Sequence, residues 1–480
     1  MMKRLFSPLR AFWVGTLPSP RLAAWVGLGA VLWLCSAALP VFGALAWIYN
    51  GVLLLAAILD WRFSPQPSHF QIWRSFEDKM NLGVPNAVQL GAKNRAARAV
   101  KLEIRDDVPA DFSVKNDEPP RYQDDVLLPP LPRATLQIEP NEETHGVYRL
   151  VPNRRGDFAF GSLHARYSTI LGLWFRQFCR DDSPKTARVY PDSTAVRRYE
   201  LALRDGKMRD IGLHLLKLRG RGTEFESLRD YSTDDEYKNI NWKASARRGK
   251  LISTNYEIER DQTIVICLDC GRMMSSMAVQ KTAHHDEFAA QTPLSKLDCA
   301  INATVLLAHV AASMGDAVGL LLFSDGVTQF LPPRKGRVQT GQIIEALYGA
   351  QPGLVEPDYQ VAYETLLARK IRRALVVTFT DLVDNEASRE LLNSSAMLRK
   401  HHNALCVTIN NRDVLDLAAQ FPENSAKLYE KAMAQRMLAG RQSALENLRA
   451  FGVGILDVDA GELSVATVNR YLDLKSRGAL

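Results

Sequence analysis

Asp269 and Asp381 each close an apolar run, the first Thr263-Ile-Val-Ile-Cys-Leu268 and the second residues 374–379 followed by Thr380. Apolar strands of this kind, laid side by side in a parallel sheet, present their ligands beyond their carboxyl ends. Two carboxylates 112 positions apart are therefore expected on one rim. A carboxylate pair there suits a hard cation or acid–base work in a hydrolase. Left uncompensated, the two repel, so that either one titrates high or Arg272 pairs with it. Other chemistry-bearing groups are less coherent. His284-His285-Asp286 lies in the hydrophilic run 277–295, and adjacent histidines diverge in direction. Cys267 and Cys270 have two residues between them, but no second pair or histidine completes a zinc site. No Walker A sequence, Ser/His/Asp arrangement or H-E-x-x-H string occurs, which argues against ATP hydrolysis and the commoner hydrolytic chemistries.

A polar run, Glu224, Glu226, Arg229, Asp230 and Tyr231, precedes Trp242. It reads either as a partner-binding surface or as a network docking this connector onto the neighbouring sheet, with Trp242 as the apolar anchor. Lys238, Lys243, Arg247, Arg248 and Lys250 form a basic cluster. It reads as a solvated face or as one turned towards anionic lipid, nucleic acid or an acidic protein surface.

The elements that must position these groups follow from periodicity. From residue 261 to 480, apolar strands at 263–268, 317–323, 374–379, 404–409 and 453–458 alternate with helices at 297–314, 358–370, 386–401 and 426–448. Strands apolar on both faces, alternating with helices, predict an α/β fold with a parallel doubly wound sheet. Residues 63–195 instead carry short alternating runs at 87–90, 100–104, 135–138 and 147–151, separated by turn residues, which predicts a β-sandwich-like domain. The segment 196–260 connects the two.

Residues 22–59 hold no Lys, Arg, Asp, Glu or His. At about 20 apolar residues per crossing, this stretch is long enough for two, with Pro40 and Gly43 at a turn. The expectation is a transmembrane helical hairpin over 22–60, preceded by a basic segment, 1–21. Lys3, Arg4, Arg10, Arg21 and Arg62 place both ends in the cytoplasm by the positive-inside rule. That makes a multi-pass protein with two helices and cytoplasmic soluble domains. The chain has 480 residues and a formal charge of +7, mildly basic, and no long basic block with interleaved aromatics, so nucleic acid is not an expected partner. Its six cysteines, mostly in apolar contexts, read as free thiols in a reducing compartment.

The most specific string is Arg221-Gly222-Thr-Glu224-Phe225-Glu-Ser-Leu228-Arg229-Asp-Tyr231, followed by Ile240-Asn-Trp242-Lys-Ala-Ser245-Ala-Arg247. With the Arg154-Arg155-Gly156 turn, Leu171-Gly172-Leu173 and Val189-Tyr190-Pro191, it resembles the DUF58 family of bacterial membrane-associated proteins along nearly the whole chain. The resemblance implies an inner-membrane protein ending in a domain similar to von Willebrand factor A. It also implies an accessory or adaptor role without catalysis, and a MoxR-type AAA+ ATPase partner, with a transglutaminase-like membrane protein as a further one.

Domains similar to von Willebrand factor A hold Mg²⁺ through a D-x-S-x-S loop, a middle ligand and an Asp on a third loop. Asp269 matches the first Asp, Asp298 falls where the middle ligand lies, and Thr380-Asp381 matches the third element. Gly271 and Met273 stand at the two serine positions, and neither offers a hard oxygen. The expectation is a degenerate metal site, with Mg²⁺ the only cofactor in view and a binding surface the use left to the fold. Two other functions stay open: a hydrolase using the Asp269/Asp381 rim, and a structural envelope protein acting through its β-sandwich.

Overall fold

The computed structural model describes residues 15–37, 39–115, 121–123, 126–128, 132–180, 185–192, 194–205, 224–232, 237–257, 261–278, 294–382 and 385–477. These fall into two compact units, Met1–Val189 and Tyr190–Leu480.

The first unit opens with a short strand, β1 (Thr16–Pro18), and two apolar helices, α1 (Pro20–Ser36) and α2 (Val41–Phe63). Ser19 caps α1, its Oγ accepting from the Leu22 N–H at 3.2 Å, and Pro20 takes the first helical position, where its missing N–H costs nothing. These two residues fix where α1 starts, and it ends at Ser36 after 17 residues. At 1.5 Å per residue that is about 25 Å, short of a hydrocarbon core of about 30 Å. The other helical segment, Val41–His69, is long and apolar enough to cross a membrane, with a mean hydropathy of 2.0. This corrects the expected two-crossing hairpin over residues 22–60, and with it the multi-pass topology with two spanning helices. Among the described residues one helix has membrane-spanning length, and α1 is a shorter apolar helix packed along it. The contact includes the Tyr49 hydroxyl donating to the Trp25 carbonyl at 2.9 Å and an edge-on Trp33–Trp47 pair at 5.6 Å.

Antiparallel strands follow: β2 (Phe70–Phe76), β3 (Asn86–Asn94), β4 (Val100–Asp106), β5 (Phe112–Lys115), β6 (Arg133–Ile138), β7 (Glu143–Pro152), β8 (Leu163–Ser168) and β9 (Trp174–Arg180). One sheet runs β1–β9–β8–β4–β6 and a second β2–β3–β7–β5. Alternate residues of β4 and β8 are buried, as a half-buried pleat requires. Phe70 of the second sheet meets Tyr167 and Phe178 of the first at 4.8 and 6.4 Å. Asp106 on β4 is buried and tied to the opposite sheet by Arg74 and Tyr148, each at 2.5 Å. Burial pushes its carboxyl above the usual range, against the pull of Arg74.

In the second unit, helix α3 (Thr194–Asp205) precedes a hairpin of β10 (Glu224–Asp230) and β11 (Ile252–Glu257), which enclose α4 (Trp242–Arg248). The main sheet is built from β12 (Thr263–Asp269), β13 (Ala317–Phe323), β14 (Val327–Arg334), β15 (Leu375–Phe379), β16 (Asn403–Ile409) and β17 (Gly454–Val458). Its order is β14–β13–β12–β15–β16–β17, all parallel except the edge strand β14. The helices are α5 (Lys296–Ser313), α6 (Arg337–Tyr348), α7 (Tyr359–Ala368), α8 (Asn385–Arg399), α9 (Arg412–Ala419), α10 (Ser425–Ala450) and α11 (Leu463–Ser476). Val265 and Cys267 of β12 pack in one core with residues of α7, α8 and α10, so the alternate residues face the other layer, where α5 packs with α6 and α11. The chain reverses direction through the sheet beside β12, and the crevice at such a switch point is where doubly wound sheets bind ligands.

Candidate functional site

Parallel pairing of Leu268 with Phe379 sets the ends of β12 and β15 level, which brings Asp269, Thr380 and Asp381 together on the carboxyl rim. Asp269 is fully enclosed, with 0% exposure. Its Oδ1 accepts from the Gly271 N–H at 2.7 Å and its Oδ2 from the Thr380 hydroxyl at 2.6 Å, while the Tyr359 hydroxyl stands 2.7 Å from Thr380 Oγ1 and 3.5 Å from Asp269 Oδ2. Burial pushes the Asp269 carboxyl up to about 6, more than these donors pull it down, and Asp381 nearby adds a little.

Asp381 has its two oxygens bound by two cations. Lys296 Nζ reaches Oδ2 at 2.5 Å, and Arg441 reaches Oδ1 at 2.7 Å. Lys296 is the first residue of α5 and is wholly buried, so desolvation lowers its pKa while Asp381 holds it up. Arg441, from α10, spans three strand ends. It donates to the Leu382 carbonyl at 2.6 Å, the Ile409 carbonyl at 3.0 Å and Asp457 Oδ1 at 2.8 Å. Thr408 donates to the same Asp457 oxygen at 2.8 Å. Asp298, expected as the middle ligand, lies in the first turn of α5. Ser295 caps that helix, accepting from the Asp298 N–H at 3.0 Å and donating to its Oδ2 at 2.5 Å, a variant of the reciprocal pattern of a capping box. Ser295→Ala is expected to cost about 1 kcal/mol, the usual value of a lost N-cap, read as a lower unfolding midpoint. An unchanged midpoint would mean that the cap is replaced locally.

These residues do not fit a divalent cation as arranged. Hard cations need free oxygens, yet both oxygens of Asp269 and both of Asp381 are engaged by protein donors, and two of those donors are cations. A Cβ on Gly271 would come within 3.0 Å of Asp269 Oδ1, Pro357 Cδ and the Val355 carbonyl, so a serine there needs the loop to shift. The hydroxyls of Ser275 and Ser276 bond to the Arg272 and Met273 carbonyls at 2.6 and 2.5 Å. Arg272 pairs with Glu356 at 2.5 Å rather than with either rim aspartate. Among the described residues no cluster of His, Cys, Asp or Glu is grouped to hold a metal. Asp269 is closed to solvent in this arrangement, and burial pushes the Cys267 and Cys406 thiols up to about 12.

Sequence reading did not single out Lys296 and Arg441. Arg441 carried a signal, since it shares the buried face of α10 with Ala434, Ala444, Leu445 and Leu448, a lone charge in an apolar stripe.

Of the signature residues, Gly222 lies outside the described residues, as does His284-His285-Asp286. Glu224 and Phe225 sit on β10, which pairs with β11 along its length. Leu228 is half-buried, Arg229 exposed, and Tyr231 hydrogen-bonds through its N–H to the Leu251 carbonyl at 3.0 Å. Asn241 caps α4, and the buried Ser245 clamps it, donating to the Asn241 carbonyl at 2.8 Å and accepting from the Ile252 N–H at 2.9 Å. Trp242 is not an anchor: it is 55% exposed and meets the still more exposed Tyr237 edge-on at 5.5 Å. Lys243, Arg247, Arg248 and Lys250 are exposed, with Lys250 paired to Asp230 at 2.7 Å.

Residues 227–419 match the family described as "Protein of unknown function DUF58", so a DUF58 domain is present. A comparison with curated proteins found no match. Among solved structures, the chain is similar to the conserved hypothetical protein BatB from Bacteroides thetaiotaomicron, 13% identical, covering 45% of this chain and 99% of that one with a TM-score of 0.30. It is also similar to the CARDB domain of the PF1109 protein from Pyrococcus furiosus, 11% identical, covering 26% and 90% with a TM-score of 0.15. A third likeness is proximal thread matrix protein 1 from the mussel byssus, 11% identical, covering 46% of each chain with a TM-score of 0.26. At these scores the likenesses assign neither fold nor function.

Proposed function

We propose that this DUF58-domain protein is a membrane-anchored accessory protein without catalysis, held by α2, whose second unit docks a protein partner. The observation that carries the reading is the exposed Tyr237–Trp242 pair, together with the exposed Lys243, Arg247 and Arg248 of α4. Exposed Trp, Tyr and Arg in one short stretch have the composition of interface hot spots, and the cations select an acidic surface. A MoxR-type AAA+ ATPase is the partner we favour, on the family resemblance, with a transglutaminase-like membrane protein second. The strand order of the second unit is compatible with a von Willebrand factor A-like binding domain whose rim is closed by Lys296 and Arg441 instead of Mg²⁺. Such docking would be independent of divalent cations.

Trp242→Ala in the detergent-solubilised full chain tests this against a co-encoded AAA+ ATPase. A hot spot of about 2 kcal/mol or more predicts at least roughly a thirtyfold rise in Kd, with the melting temperature unchanged because the side chain is exposed. The affinity is expected to be the same in Mg²⁺ and in EDTA. Unaltered binding by the variant would move the interface elsewhere. Absence of binding by the wild type would remove the ATPase as partner, and loss of binding in EDTA would restore a metal to the rim.

A further inference from the structure

We propose that the turn joining β8 to β9, with Ile170 and Leu171 at its tip, seats in the headgroup boundary of a lipid bilayer beside the end of α2. This rests on the reading of α2 as the membrane anchor and adds a second contact by which the first unit meets lipid.

The turn is fixed to the helix at a definite height. Asp60, in the last turn of α2, is buried and accepts from the Leu171 N–H at 2.8 Å, the Leu173 N–H at 3.2 Å and the Thr169 hydroxyl at 2.6 Å. A carboxylate at a helix C-terminus opposes the helix dipole, so the three donors from the turn hold it there. One turn further into the helix, the Trp174 indole N–H donates to the Ala57 carbonyl at 3.0 Å. Leu173 shares a buried cluster with Leu22 and Ala57, against which Leu53, Ala56 and Trp174 also pack. Arg176 donates to the Pro65 carbonyl at 2.8 Å, to the Ser64 carbonyl at 3.3 Å and to the Trp61 carbonyl. The sandwich and the helix end are thus bound by hydrogen bonds on successive turns.

That height is the membrane boundary. Residues 41–59 carry no charge and span about 28 Å at 1.5 Å per residue, close to the hydrocarbon thickness of about 30 Å. Asp60 then marks the edge of the hydrocarbon, and the turn bonded to it lies at the same level. The tip has the composition for that place. Gly172, at φ 71°, is the residue the turn geometry demands, but positions that ordinarily take Asn, Asp or Ser are filled by Ile170 and Leu171, 43% and 54% exposed. Leu17 and Phe63 are exposed nearby in the chain segments bonded to this turn. Trp61 and Trp174 supply the amphipathic rings typical of the interface, and Arg62 and Arg21, both exposed, supply cations for lipid phosphate. Two bare aliphatics on a hairpin tip, continuous with an apolar helix and flanked by Trp and Arg, match a lipid surface.

The test uses the full-length protein in phosphatidylcholine–phosphatidylglycerol vesicles. The exposed Cys35 and Cys179 are changed to Ser, and spin labels are placed singly through Ile170→Cys, Leu171→Cys, Leu54→Cys on α2 and Val147→Cys on β7. Collision with oxygen is compared with collision with a water-soluble nickel chelate. Labels at 170 and 171 are expected to show an oxygen-to-nickel ratio several-fold above that at 147 and below that at 54. A lipid-like ratio at 54 with water-like values at 170 and 171 would overturn the interfacial turn and leave the anchor standing. Water-like values at all four would overturn both. Labels at 170 and 171 shielded from both reagents and broadened by a second label would overturn lipid in favour of a second copy of the chain.

Discussion

Lys296→Met is expected to destabilise the second unit by about 3–5 kcal/mol, the range for removing one partner of a buried ion pair. The side chain is wholly buried, and methionine fills much the same volume, so the loss is electrostatic. Asp381 Oδ2 loses the cation bound to it, since Arg441 occupies Oδ1. The carboxylate cannot turn to water, because it too is buried. Combining Lys296→Met with Asp381→Asn is expected to recover much of the loss. The Arg441–Asp457 pair at 2.8 Å remains, and no buried carboxylate is left facing the apolar side chain that replaces the ammonium. Urea unfolding of the solubilised chain, followed by hydrogen exchange at the amides of β12 and β15, reads both variants. A single-variant loss below about 1 kcal/mol, the size of an exposed pair, would mean that Asp381 is hydrated and that the closed-rim account is wrong. Millimolar Mg²⁺ is expected to leave wild-type unfolding unchanged. Stabilisation by Mg²⁺ that vanishes in Asp381→Asn would show that the cation displaces Lys296.

The rim was legible in the sequence because it depends on local pattern. The apolar runs at 263–268, 317–323, 374–379, 404–409 and 453–458 fall on β12, β13, β15, β16 and β17, and Asp269 and Asp381 follow two of them. What filled the rim was not legible, because it depends on which helix residues reach over it. Lys296 stands in sequence as an ordinary polar residue at a helix start, and Arg441 is 60 positions from its partner. The edge strand β14 was hidden by Pro332 and Pro333, which an interior strand excludes and an edge tolerates. The membrane segment failed for a different reason. A charge-free run of 38 residues measures composition, whereas crossing depends on helix length, and α1, ending at Ser36, has only 17 residues. Trp242 shows the limit of residue type as a guide. Its indole suited a buried anchor, but Asn241 and Ser245 fix α4 through hydrogen bonds and leave the ring outside.

The effect of Asp269→Asn on stability is expected to change between acid and neutral pH. Burial raises the folded-state pKa from 3.8 to about 6, so the native protein binds the proton more tightly than the unfolded chain does. Stability then falls with rising pH wherever the native state holds more protons. The contribution of protonated Asp269 is fully present below about pH 4 and is lost as pH rises through about 6. A shift of about two units is worth roughly 3 kcal/mol at 1.36 kcal/mol per unit, and the closed setting of the group means that solvent screens little of it. Asparagine does not ionise, so the stability of wild type relative to the variant is expected to drop by roughly 3 kcal/mol between about pH 4 and about pH 7.5. At low pH the protonated carboxyl and the amide offer the same pattern, one oxygen to accept from the Gly271 N–H and one donor to face Thr380, so the two proteins are expected to differ least there. Paired unfolding curves at each pH give the difference directly. A flat difference would mean that Asp269 titrates alike folded and unfolded. A difference that grows with pH would mean a depressed pKa, as a bound cation would produce, and the metal would then return to a rim whose visible partners are all protein.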